Sequence, residues 1–246
     1  MGFKGSKAHK IARLERERGF YHQGSHIRQA MFDSLILLDP QNEYHYRQKS
    51  VAHTKIGDFH IAFPLLEKAA SIDPAEALYY YSWLLAYFYR DYERALQRLE
   101  EFDALTPNAP DIAWGEDVRY MKGLVYKQMG QYENAIEQFD LYERESTGSI
   151  DTYTYVYRGI CWTKLRMPRK AIADFDLAIK DYSRCSMAYY YKGVALTKTG
   201  QKDNAKKAFQ KARELVAKGY KKTDAYKEVY DEVYLEMIDD QLALLD

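Results

Sequence analysis

The first side chains to test for chemistry are histidine, cysteine and the carboxylates. All six histidines of the 246-residue chain precede residue 61. His22 and His26 are four apart and would share a helix face, the spacing a metal site uses, but Gly24 and Ser25 between them read as a turn. His53 and His60 flank Gly57, again across a turn. No H-E-x-x-H, paired-cysteine motif or acidic calcium loop accompanies them, so neither a metal nor a cofactor is expected. Cys161 stands beside Trp162 in a helical stretch and reads as a small buried hydrophobe, not a nucleophile. Phosphate-cradling loops, nucleophile elbows and dinucleotide fingerprints are lacking. Aspartate and glutamate are interspersed with lysine and arginine as on solvated helix faces. The expected chain is non-enzymatic, with no catalytic residue.

Tyrosine is the remaining candidate, with 24 copies. Tyr79, Tyr80, Tyr81, Trp83, Tyr87, Phe88 and Tyr89 fall within eleven residues. A tyrosine joins a large rigid apolar body to a polar tip, which suits contact with an extended peptide or a partner helix. Whether these rings face a partner or pack inside depends on the elements that carry them.

Those elements repeat. Between Glu116 and Ala212 one pattern occurs three times: Gly123, Gly130, Tyr132, Ala135 and Phe139; then Gly159, Ala171, Phe175 and Ala178; then Gly193, Gly200, Ala205, Phe209 and Ala212. The steps are 36 and 34 residues, a period that means stacked helix-turn-helix units and not one globular fold. Gly123, Gly159 and Gly193 sit mid-helix, where glycine costs about 1 kcal/mol against alanine, so a close helix approach is expected there, with Ala135, Ala171 and Ala205 facing it. Gly130 and Gly200 fall where the first helix stops, and Arg166, Met167 and Pro168 stand at that place in the middle copy.

This spacing resembles the tetratricopeptide repeat family. The resemblance implies a right-handed all-α solenoid of about six helix-turn-helix repeats, whose first helices line a concave groove that binds other proteins. Repeats are expected near 9–42, 43–75, 76–115, 116–151, 152–185 and 186–216, after a polar basic lead-in at 1–8 and before a C-terminal capping helix within 217–246. Pro40 and Pro74, 34 residues apart, set the register of the early repeats, although Arg28 replaces the small alanine of the first. Ala95 to Ala135 spans 40 residues, so the connection from Thr106 to Gly115, with Pro107, Pro110 and Trp114, holds about six extra. Tyr226, Val229, Tyr230, Val233, Leu235, Met237 and Ile238 suit one face of a last helix from Lys221 to Leu245.

By the family's geometry the groove presents Tyr80, Tyr81, Tyr87, Tyr120, Met121, Tyr153, Tyr157, Tyr190 and Tyr191, edged by Lys127, Lys164 and Lys198, while Tyr79, Tyr126, Tyr155 and Tyr189 belong to the core. Members that bind acidic chaperone C-termini place Lys and Asn, then Asn, then Lys and Arg on three successive inner faces. The matching positions here, Arg13, Glu17, Gln48, Ala77 and Tyr81 or Arg47, Val51, Tyr81, Asp117 and Met121, do not supply that clamp, and later starting points do no better. The expected partner is another protein or peptide segment. The alternative is capture of RNA or another nonprotein ligand by groove tyrosines and lysines.

Bulk composition narrows the classes further. Net charge is zero with a pI near 7.0, which argues against general nucleic-acid binding. No apolar run approaches the ~20 residues that span a bilayer. Two cysteines and no apolar signal core fit a cytoplasmic placement. Met1, Gly2 and Ser6 match a bare myristoylation pattern that Phe3 disfavours. Six Lys or Arg against two Glu in the first eighteen residues, and six acids without a base from Asp231 to Asp246, leave weak head-to-tail association as a secondary expectation for a monomer.

Overall fold

The computed structural model describes residues 6–106, 112–113, 116–146 and 148–245. Over these residues the chain is an all-α solenoid of paired helices, divided into two compact units, 1–107 and 108–246. The first unit holds α1 (Lys7–Glu17), α2 (His26–Leu38), α3 (Glu43–Lys55), α4 (Phe59–Ile72), α5 (Pro74–Leu84) and α6 (Tyr92–Asp103). The second holds α7 (Val118–Gln128), α8 (Tyr132–Glu145), α9 (Thr152–Lys164), α10 (Pro168–Asp181), α11 (Ser186–Lys198), α12 (Lys202–Ala217) and the short α13 (Leu235–Ala243).

Four first helices and four second helices start by different means. Asn42, Asp73, Asp117 and Asp151 cap first helices by accepting hydrogen bonds from backbone N–H groups of the opening turn, and Pro74 adds a ring pre-set for the helix. Whereas α6 is capped by Asp91 accepting from the Arg94 N–H, the second helices α4, α8, α10 and α12 have no side-chain cap. They follow a residue in the left-handed region: Gly57, Gly130, Arg166 and Gly200, with φ of 81°, 75°, 59° and 74°. Arg90, φ 59°, does the same before α6. The tight reversal this allows returns the second helix antiparallel against the first.

The mid-helix glycines make room for a ring. A Cβ on Gly123 would lie 2.6 Å from Phe139, one on Gly159 2.6 Å from Phe175 and one on Gly193 2.7 Å from Phe209. The close approach expected opposite Ala135, Ala171 and Ala205 is therefore made by the phenylalanine one turn further along the same helix face. The alanines are fully buried beside it.

In the first unit a register shift has a visible cause. The small residue of the first helix precedes the left-handed residue by seven positions in Ser50–Gly57, Gly123–Gly130, Gly159–Arg166 and Gly193–Gly200, but by eight in Ser82–Arg90. The extra residue is taken up by a π-helical turn, Leu85–Tyr89, closed by the Arg90 N–H donating to the Leu85 carbonyl.

Three expectations are corrected. Helix α1 starts at Lys7, inside the proposed lead-in, because Ser6 caps it by accepting from the His9 N–H. The C-terminal helix does not begin near Lys221: Gly219, φ 81°, breaks the chain, Asp224 turns it by accepting from the Tyr226 and Lys227 N–H groups, and only Leu235–Ala243 is helical. A strand also occurs where none was expected, as Ile112–Ala113 pairs antiparallel with Glu116–Asp117 in a two-residue ladder. Met1, Gly2, Phe3, Pro107, Pro110 and Trp114 lie outside the described residues. No helix among the described residues is long and apolar enough to cross a membrane.

Candidate peptide groove of the second unit

Helices α7, α9 and α11 supply the three first-helix faces of the second unit, and each is held by the ring of its own partner helix. A buried ionic centre adds to this. Arg158 on α9 donates from Nε and Nη2 to Asp174 on α10 at 2.9 and 2.6 Å, and from Nη1 to Asp140 and Glu143 on α8 at 2.7 and 2.5 Å. Asp174 is buried with Arg158, whereas Asp140 and Glu143 stay at the surface as expected from sequence, and together they tie three helices. Burial raises the Asp174 carboxyl above its usual range even against the pull of Arg158.

On these faces lies the chain's own segment 220–234, which has no regular secondary structure. Tyr157 Oη donates to the Tyr230 carbonyl at 3.4 Å, and Tyr191 Oη donates to the Asp231 carbonyl at 3.2 Å. Lys127 Nζ donates to Asp231 Oδ2 at 2.5 Å, and its ammonium lies 5.3 Å and 5.5 Å from the ring centroids of Tyr157 and Tyr230. The lysine side chain is only 4% exposed, so this pair is screened far less than a surface ion pair. Asp231 is itself left-handed, φ 55°, which turns its carboxylate and carbonyl toward α7 and α11 together. Lys222 Nζ sits 3.7 Å from the Tyr153 ring centroid and 5.6 Å from that of Tyr157. Burial lowers the Lys222 ammonium pKa and raises the Tyr153 and Tyr191 phenols. Val229 and Val233 are buried, and Lys221 pairs with Glu232 at 2.6 Å.

Of the residues expected to line a groove, the structure brings Lys127, Tyr153, Tyr157 and Tyr191 together under this segment. Tyr120 and Tyr190 touch this cluster from behind, through the rings of Tyr157 and Tyr191. Tyr120 packs among Phe139, Tyr142 and Tyr157, and Met121 is fully buried. Tyr190 packs on Phe209 and Tyr191. Lys164 and Lys198 are exposed. In the first unit Tyr81 is fully buried, its hydroxyl donating to Glu67 Oε1 at 2.8 Å and accepting from Arg94 Nη2 at 2.5 Å. Tyr87 is buried against Trp83, and the Tyr80 hydroxyl reaches Thr54 Oγ1 at 3.3 Å. Conversely Tyr126, Tyr155 and Tyr189, assigned to the core, are only half-buried, whereas Tyr79 is buried as expected. A first helix of a stacked pair is covered on several sides, so its open stripe is narrower than the family geometry suggests.

Both thiols are buried, and burial pushes Cys161 up to about 12 and Cys185 up to about 11, far from a reactive thiolate at neutral pH. Among the described residues no group of three or more His, Cys, Asp or Glu could hold a metal ion. His45 is buried in a 2.7 Å contact with Glu15.

The sequence signal for the occupied groove was the break at Gly219 with Thr223 and Asp224 behind it. The spacing of Tyr226, Val229, Tyr230 and Val233 imitates a helix face, which hid the irregular course.

Paired helices, a left-handed residue before α4, α6, α8, α10 and α12, and small residues at the crossings of those pairs define a helical repeat protein. The tetratricopeptide repeat profile matches residues 116–142 and again 187–218. The chain thus carries tetratricopeptide repeats in its second unit. No curated protein matches it significantly. Among solved structures it resembles MamA from Desulfovibrio magneticus RS-1, at 21% identity and TM-score 0.61 over 72% of this chain and 96% of that one. YrrB, described as a TPR protein with an unusual peptide-binding site, aligns at 19% identity and TM-score 0.58 over 75% and 91%. PilF of Pseudomonas aeruginosa aligns at 18% identity and TM-score 0.60 over 86% and 94%. At these identities the likeness is one of fold.

Proposed function

We propose that the protein is a non-enzymatic scaffold or adaptor that holds an extended segment of a partner protein on the α7, α9 and α11 faces of its second unit. The supporting observation is the grip on residues 230 and 231: two tyrosine hydroxyls take consecutive backbone carbonyls while a buried lysine takes a carboxylate. Hydroxyl-to-carbonyl bonds hold any extended chain, and one charged pair adds selectivity. The description of YrrB as having a peptide-binding site is consistent with this use of the fold. The suppressed thiols support a role without nucleophilic chemistry. RNA capture gains little support, because Lys127 is already matched by Asp231 and the nearby Lys222 is carried by the bound segment itself.

Selection of displayed random peptides on the immobilised full chain tests the proposal. Enriched peptides should lose at least about tenfold in affinity for a Lys127→Met, Tyr191→Phe double variant, as expected for loss of a charge-assisted bond and a second hydrogen bond. No enrichment, or binding indifferent to both substitutions, would contradict it.

A further inference from the structure

The segment over the groove is tethered at both ends. Before it stands Gly219, following α12; after it α13 packs back on α12, with Ile238 fully buried and Arg213 pairing with Asp239 at 2.6 Å. Between these anchors its hold is narrow. Of its side chains only Val229 and Val233 are buried, whereas Thr223 to Tyr226, Glu228 and Tyr234 are exposed. Irregular backbone with few buried apolar side chains belongs to the part of a protein that opens at low cost. Beyond the two valines the segment lays Lys222 over the Tyr153 ring, and it is gripped by Tyr157 and Tyr191 on its carbonyls and by Lys127 on Asp231, the last three being contacts that a foreign chain could reproduce.

We infer that residues 220–234 are a displaceable intramolecular occupant of the groove, standing in for a partner segment in which an aromatic residue is followed by an aspartate and, two residues further, by an aliphatic residue. That order is Tyr230, Asp231 and Val233. The inference rests on the groove being a peptide site. Because the occupant is tethered, it competes at a high effective concentration, so a partner binds the closed protein more weakly than the opened one.

The test uses the full chain and a fluorescent synthetic peptide with the sequence of residues 226–236. Asp231→Asn removes the charge but keeps a residue that tolerates the left-handed backbone. The variant should bind the probe at least about tenfold more tightly than the wild type, following loss of the competing segment. Hydrogen exchange at residues 228–234 should rise in the variant while α9 and α11 keep their protection. Val229→Ser serves as a second opened form. A probe with asparagine in place of its aspartate should lose the gain, as should a Lys127→Met protein. Equal affinity of wild type and both opened forms, or a probe that binds as well without its carboxylate, would overturn the inference. Displayed peptides of unrelated order that bind closed and opened protein alike through Lys127 and Tyr191 would overturn it while leaving the groove reading standing. Probe binding to Asp231→Asn with no displayed binder would instead overturn the partner reading alone.

Discussion

The two units use the same helix pair but fill its crossing differently. In the second unit a glycine of the first helix faces a phenylalanine of the second, three times over, at a separation of 16 residues. In the first unit the matching positions are Ser50 and Leu66, also 16 apart, and Ser82 and Leu99, 17 apart across the π-helical turn; all four are fully buried. A serine mid-helix spends its hydroxyl on the preceding turn, as Ser50 does on Arg47 and Ser82 on Tyr79, and leaves less room for a ring opposite. Around α5 the aromatic rings turn inward instead, with Tyr81 clamped by Glu67 and Arg94. In the second unit Tyr157 on α9 and Tyr191 on α11 bond instead to the chain's own segment 220–234. In the irregular region Tyr79, Tyr81 and Tyr87 are spent in packing, while Phe88 and Tyr89 stay exposed.

The comparison can be broken at several points. The largest effect is expected at Arg158, because its removal strands Asp174 as a buried carboxylate. Arg158→Met should cost about 3–5 kcal/mol in chemical denaturation, whereas loss of the exposed Arg213–Asp239 pair should cost about 0–1 kcal/mol. Equal small losses would show that the buried centre does not tie α8, α9 and α10.

Next comes the crossing itself. Gly159→Ser places a Cβ into the Phe175 ring and should cost about 1–3 kcal/mol. Adding Phe175→Leu recreates the pair used in the first unit and should recover part of that loss. A double variant whose loss equals the sum of the single losses would mean that the two pairings are not interchangeable solutions of one slot.

A smaller effect of opposite sign is expected at the reversals. Arg166 adopts the left-handed conformation that Gly130 and Gly200 adopt at matching positions, so Arg166→Gly should stabilise by about 0.5–1 kcal/mol once the strain relieved is set against glycine's added chain entropy. A decrease in thermal midpoint would show that the arginine side chain contributes more than its backbone costs.

Much of the second unit's fold was legible because glycine, alanine and phenylalanine recur at fixed offsets, each for a steric reason that acts within one pair. The Arg166 reversal was legible too, from the proline two residues on. The direction of each tyrosine was not. Tyr157 and Tyr155 differ by two residues on one helix, and which is covered depends on neighbouring pairs and on a segment more than sixty residues away. The course of residues 220–234 was hidden for the same reason, since the Tyr230 and Asp231 carbonyls accept from side-chain hydroxyls of α9 and α11.

The contact between Lys127 and Asp231 carries the account of the groove, and a double-mutant cycle measures it directly. Lys127→Met, Asp231→Asn and the pair together would be compared by equilibrium denaturation. A buried lysine committed to that carboxylate predicts a coupling of about 1–3 kcal/mol. Losses that simply add would contradict a groove that grips its own chain through this pair.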